Sequence, residues 1–332
     1  MNGFKALFFD NFSRYRSVLM GIAMLSIMLS HQRFVHVFPF NVFESYGHWG
    51  VDIFLFLSGM GMVRSLATHS VSEFYHRRFN RLVPICVFCG ALKYLLYLLI
   101  GSPIENLKVG LNIGPWSVFS LDLWFIHSIV IYYLLSPLLY RILKSLPVSA
   151  LSLSILCAII MHYFFADAVG YDWLNPLGIM LYTVDRLPVF MMGMLVTMYE
   201  EKVMGSHFVL SAGAFLTVLV VSVLLKTHLI PQGFYAVVYP LLALGIFSVL
   251  AGLIALLLHV SSRVLAPFGI VGKHSLEIYL VHEFIFASFL LTMYTKCNHA
   301  LLLTVTILLS FLVAWCCRRC TDKIMSFFPY TH

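Results

Sequence analysis

Apolar residues follow one another in long blocks separated by short polar stretches. Ten blocks approach twenty residues, at approximately 17–36, 50–66, 82–101, 119–140, 148–166, 178–199, 207–226, 235–258, 270–292 and 299–317. A helix of that length rises about 1.5 Å per residue and crosses the roughly 30 Å of hydrocarbon in a bilayer. The pattern therefore predicts an all-α polytopic membrane protein, a bundle of about ten transmembrane helices. The loops are short, and no linker, low-complexity tract or repeat interrupts them, so residues 1–332 are read as a single transmembrane domain. The first block ends around MLSHQRF, which lacks a small-residue cleavage site, and is read as a retained helix.

Composition strengthens this reading. The chain is 61% hydrophobic and 11% charged, with a mean hydropathy of +0.93, far from the quarter-charged norm of soluble domains. A net charge of +7 raises the question of nucleic acid, but no soluble basic face is present, and no nucleic-acid partner is expected. The charge reports topology instead. With the N-terminus inside, the inner segments collect most Lys and Arg, including Arg77, Arg78 and Arg81, while the outer ones hold Arg33, Lys108, Lys226 and Lys296. Positive residues favour the cytoplasmic side, so both termini are predicted to be cytoplasmic and the protein integral to the cytoplasmic membrane. The seven cysteines, with Cys316, Cys317 and Cys320 near the inner end, are read as reduced packing residues, and no metal is expected.

Candidate chemistry lies in the polar exceptions. In HWGVDIFLFLSGMG, Asp52 enters an apolar run, where an ionised carboxylate is costly without a partner. His31, near the outer end of the first span, lies at a similar predicted depth. A carboxylate holding one imidazole nitrogen would leave the other as a general base. Equally, such a pair can simply pin two helices together. Other polar groups are placed at the same level: Trp124 and His127 in WFIH, and Asp185 and Arg186 before Pro188. In HSLEIYLVHE, Ser275, Tyr279 and His282 share one helical face, with Glu283 one step round. Each is open to a structural reading as an internal polar contact and to a functional one as the lining of a substrate site. On the inner side, FYHRRFNRLVP sets Arg78 and Arg81 three apart on one face, suited to phosphates through bidentate donors or to anchoring at anionic head groups.

The ordered pieces MGIAMLSIMLSH, GVDIFLFLSG, FYHRRFNRLVP, WFIH, RLPVFMMG and HSLEIYLVHE resemble the acyltransferase family 3 of integral membrane O-acyltransferases, over about residues 14 to 325. The resemblance implies transfer of an acyl group, often acetyl, from cytoplasmic acyl-CoA to a hydroxyl of a carbohydrate or glycan across the membrane. Carried over by position, His31 corresponds to the catalytic histidine and Arg78 with Arg81 to the family's Arg-x-x-Arg motif for the coenzyme. Asp52 stands in the Gly-Val-x-x-Phe segment and would orient His31. The family's arginine eleven positions before the histidine is replaced here by Met20. Arg16 is the nearest substitute, within roughly 60° of His31 around a helix and about 22 Å away along it. The acyl-CoA nucleotide would dock on Arg78 and Arg81, with His31 deprotonating the acceptor. Arg186, Tyr279 or His127 would stabilise the oxyanion. A secondary transporter of a small anionic metabolite would also place Asp185, Arg186 and His282 mid-bundle, and would tend to show inverted repeats. A non-catalytic scaffold would have no reason to bear the cost of buried ionisable groups.

Overall fold

The computed structural model describes residues 2–31, 49–100, 123–169, 176–199, 245–246, 250, 252–254, 256–293 and 299–327. The seventh predicted span and most of the eighth lie outside them. Nine long helices stand among the described residues, with no strand. They are α1 (Asn2–Ser30), α2 (Trp49–Thr68), α3 (Val71–Ile100), α4 (Trp124–Ser145), α5 (Pro147–Val169), α6 (Pro176–Met198), α7 (Ser262–Lys273), α8 (Ser275–Met293) and α9 (His299–Ser326).

Among the described residues, five helical segments are by themselves long and apolar enough to cross a membrane: Trp49–Thr68, Trp124–Ser145, Pro147–Phe165, Gly178–Met198 and Leu301–Ser326. The predicted ninth span is not one straight helix. It breaks at His274, where α7 and α8 meet at 75°, and counting that bent pair as one span gives six. The outer faces are apolar: on α5, Leu153, Leu156, Ile160, Tyr163 and Phe164 are all exposed. Contiguous exposed hydrocarbon on this scale is foreign to a water-facing surface. The chain is an all-α membrane protein.

Local chemistry sets the helix ends. Ser70 and Glu73 form a capping box at the start of α3: the Ser70 N–H donates to Glu73 Oε2 at 2.9 Å and the Glu73 N–H to Ser70 Oγ at 3.2 Å. Two donors that the first turn would leave without partners are thereby satisfied, and the chain enters α3 just before its three arginines.

The helices form two compact units. One comprises Met1–Arg16, Asp52–Tyr75 and His127–Leu265, the other Ser17–Val51, His76–Ile126 and Ala266–His332. In the first, α2 and α6 cross almost backbone to backbone. A Cβ on Gly59 would fall on the Phe190 carbonyl, and one on Gly193 on the Phe56 carbonyl. Small residues allow this approach, and dispersion between closely packed backbones holds it. Alongside, α4 meets α6 through hydroxyls, with Ser128 Oγ 2.7 Å from Thr183 Oγ1 and the Tyr132 hydroxyl donating to the Thr183 carbonyl. In the second unit α1 and α7 touch by the same device, Gly21 lying against the Phe268 carbonyl and Gly272 against that of Ser17. There α8 packs along α9, and Glu277, 2% exposed, takes a hydrogen bond from Arg318 Nη1 at 2.9 Å.

Candidate active site

The second unit holds His31, Arg78, Arg81, Trp124, Tyr279, His282 and Glu283; the first holds Arg16, Asp52, His127, Asp185 and Arg186. Each unit gathers a distinct polar cluster.

His31 stands in the turn that ends α1. The last carbonyls of a helix lack partners from the next turn, and the Ile27 carbonyl is met by the His31 N–H at 3.3 Å, by Ser30 Oγ at 2.7 Å and by His31 Nδ1 at 2.8 Å. A carbonyl oxygen can only accept, so Nδ1 carries the proton, and in the neutral ring Nε2 offers a lone pair. The Ile27 carbonyl, on its own helix, thus orients the His31 ring.

Across from it, 5.0 Å between ring centroids and edge to face, lies His282 of α8. His282 is 1% exposed. Its Nδ1 is 2.9 Å from the Tyr279 carbonyl and 3.2 Å from that of Ile278, so it too is protonated at Nδ1. Its Nε2 is buried without a hydrogen-bond partner among the described residues. Tyr279 packs between this imidazole and Phe125, with ring centroids 5.5 Å and 4.9 Å away. The WFIH and HSLEIYLVHE pieces, about 150 residues apart in sequence, thus meet through Phe125 and Tyr279, with Trp124 beside Phe125 at 6.2 Å. Glu283, half-buried, follows His282.

Asp52 finds its partner within the first unit. It lies seven residues before Gly59, and Arg186 lies seven before Gly193: two turns, or about 10 Å, back from the close crossing on each helix. The shared face brings Arg186 Nε to 3.5 Å from Asp52 Oδ1, both side chains almost wholly buried. Next to it on α6, Asp185 Oδ2 is 3.3 Å from Nδ1 of His162 on α5, again fully inside. Arg186 also lies over the Tyr182 ring, 5.5 Å from its centroid. These pairs offset the desolvation that each charge would otherwise suffer alone in the bundle.

Arg78 and Arg81 lie on α3 one turn apart as predicted, Arg81 exposed and Arg78 partly covered. Arg16, half-exposed, lies one turn before Met20 on α1. His127 lies one turn after Trp124 on α4.

Three features escaped sequence reasoning. His162 and Glu277 are ionisable residues within apolar runs, the same signal that marks Asp52, and Arg318 pairs with Glu277 from the far end of the chain. Cys86 with Cys89 on α3 and Cys317 with Cys320 on α9 each have C-x-x-C spacing, one helical turn apart. No disulfide joins these four thiols, and among the described residues no three His, Cys, Asp or Glu side chains group as metal ligands.

The described helices form an apolar bundle whose second unit sets one imidazole against another. The model of the acyltransferase 3 family, described as an acyltransferase domain, matches residues 17–319, nearly the whole chain. The chain belongs to that family and is a multi-pass membrane acyltransferase. No curated protein and no solved structure matches it.

Proposed function

We propose that the protein moves an acyl group, acetyl in the simplest case, from cytoplasmic acyl-CoA to a hydroxyl of a carbohydrate or glycan on the far side of the cytoplasmic membrane. The observation that carries this reading is His31, with Nδ1 bonded to the Ile27 carbonyl and Nε2 left as a base, facing buried His282. In the reaction, Nε2 of His31 takes the acceptor's hydroxyl proton as the oxygen attacks the thioester carbon. The carbon–sulfur bond breaks, and the imidazolium returns the proton to the departing thiolate, leaving ester and free thiol. Arg78 and Arg81 would receive the coenzyme's phosphates through charge-assisted hydrogen bonds. Tyr279 is the hydroxyl donor on the turn beside His282 and the best placed of the expected oxyanion candidates in that unit.

The anion-transporter reading is weaker on the same evidence. A neutral imidazole pair whose Nε2 atoms both accept has nothing to offer a carboxylate or phosphate, and Arg186 is engaged with Asp52. Purified protein incubated with radiolabelled acetyl-CoA, with and without extracted surface glycans, should transfer label to the glycan. Label that stays on coenzyme A, from protein shown to be inserted and folded, would reject the enzymatic assignment.

A further inference from the structure

Both imidazoles in the site have their Nδ1 committed to a backbone carbonyl of their own helix, His31 to Ile27 at 2.8 Å and His282 to Tyr279 at 2.9 Å. Neither ring is free to exchange its donor and acceptor ends without losing that bond. Two Nε2 lone pairs therefore belong to one small region, where the ring centroids are 5.0 Å apart. One base is enough to take a proton from one hydroxyl. The second acceptor, on a side chain 1% exposed, has no hydrogen-bond partner among the described residues, and a buried acceptor left unpaired is costly.

We propose that His31 and His282 form a two-acceptor subsite for neighbouring hydroxyls, so that the acceptor substrate is a sugar presenting a vicinal diol. This rests on the acyl-transfer reading above. His31 takes the proton of the hydroxyl that becomes the ester oxygen, while Nε2 of His282 accepts a hydrogen bond from the adjacent hydroxyl, which keeps its proton and fixes the sugar's orientation. Atoms balance as in the single-base reaction, because His282 exchanges nothing. Anions fit poorly here, having no hydrogen to donate. A primary amine would bring a positive charge into a buried region, at a far greater desolvation cost than a neutral hydroxyl. The close ring contacts of Tyr279 with both Phe125 and His282 hold the second imidazole in place, so its acceptor is a fixed feature that an incoming diol must match.

Two measurements test this on the full-length protein in lipid nanodiscs. Nitrogen-15 NMR of histidine-labelled protein reads the tautomer of each ring, with signals assigned by their loss in His31→Gln and His282→Phe. Both rings are expected to be protonated at Nδ1 and bare at Nε2; a neutral His282 protonated at Nε2 would overturn the proposal. The second measurement compares methyl glycosides bearing adjacent hydroxyls with their monodeoxy counterparts as acceptors and as ligands. The native protein should favour the diol by about tenfold to a hundredfold, the range set by one unpaired buried acceptor. His282→Phe, which keeps a ring without its nitrogens, should bring that ratio close to one, and His282→Gln, which restores an oxygen near the Nε2 position, should recover part of it. An undiminished diol preference in His282→Phe would overturn the proposal. Failure of the native protein to acylate any glycoside would instead reject acyl transfer to sugars, while the tautomers and the binding ratio would still decide the subsite.

Discussion

Replacing Asp52 by Asn removes one half of a buried ion pair and leaves the Arg186 guanidinium charged inside the bundle. Oδ1 and Nε are 3.5 Å apart, and the two side chains are only 5% and 4% exposed. At an effective dielectric of about 20, their attraction is about 5 kcal/mol. Breaking a buried pair by removing one partner costs about 3–5 kcal/mol, because the remaining charge loses its compensation. The folded population should fall roughly 10²- to 10⁴-fold relative to the unfolded one. Asp52→Leu combined with Arg186→Met removes both charges and keeps apolar volume, which in comparable buried pairs is close to neutral. Unfolding in detergent, followed by intrinsic fluorescence against temperature or denaturing surfactant, should therefore show each single variant less stable than the double. Single losses that simply add in the double would mean that the pair does not couple, and would refute this account of Asp52. Asp52→Asn protein that is as stable as the native form but slower in turnover would return Asp52 to a direct catalytic part.

His31→Ala should lose about 10² to 10⁴ of turnover, the range a positioned base supplies, with membrane insertion unchanged; near-native acyl transfer by that variant would remove His31 from the chemistry. Arg78→Gln with Arg81→Gln should weaken acyl-CoA binding by roughly tenfold or more per residue, since charge-assisted bonds contribute about 1.5 to 3 kcal/mol. Binding to the native protein should also respond more steeply to salt, and equal affinities and salt slopes in a titration would refute the assignment. Gly193→Leu places a side chain where the Phe56 carbonyl now lies and should destabilise by at least the 1–3 kcal/mol typical of overpacking. Native stability in the same unfolding assay would show that α2 and α6 are not held at backbone contact.

Much of this protein could be read from local pattern. Apolar runs, the bias of Lys and Arg, and the SVSE cap of α3 depend on residues within a few turns of one another, and hydrophobicity, charge and capping act at that range. Single ionisable residues inside apolar runs were likewise visible. Predicted depth suggested that Asp52 would hold His31, yet depth leaves open which way each helix faces. Rotation about the helix axis is set by the glycine contacts, Gly59 with Phe190 and Gly193 with Phe56, and it is this rotation that turns Asp52 to Arg186.

The amino-acid sequence by itself determined the class, the arginine pair on one face of α3 and the histidine at the end of α1, because each follows from neighbours along the chain. The tertiary structure alone decided the partners. His31 and His282 lie about 250 positions apart, and only the packing of α1 and α8 brings their rings to 5.0 Å. The bend between α7 and α8 was hidden in the same way. His274 sits within a largely apolar run that reads as one continuous span, and the 75° turn accompanies the near-backbone contact of Gly272 and Phe268 with α1. Hydropathy measures how much a segment prefers lipid, and it carries no information about which face of one helix meets which face of another.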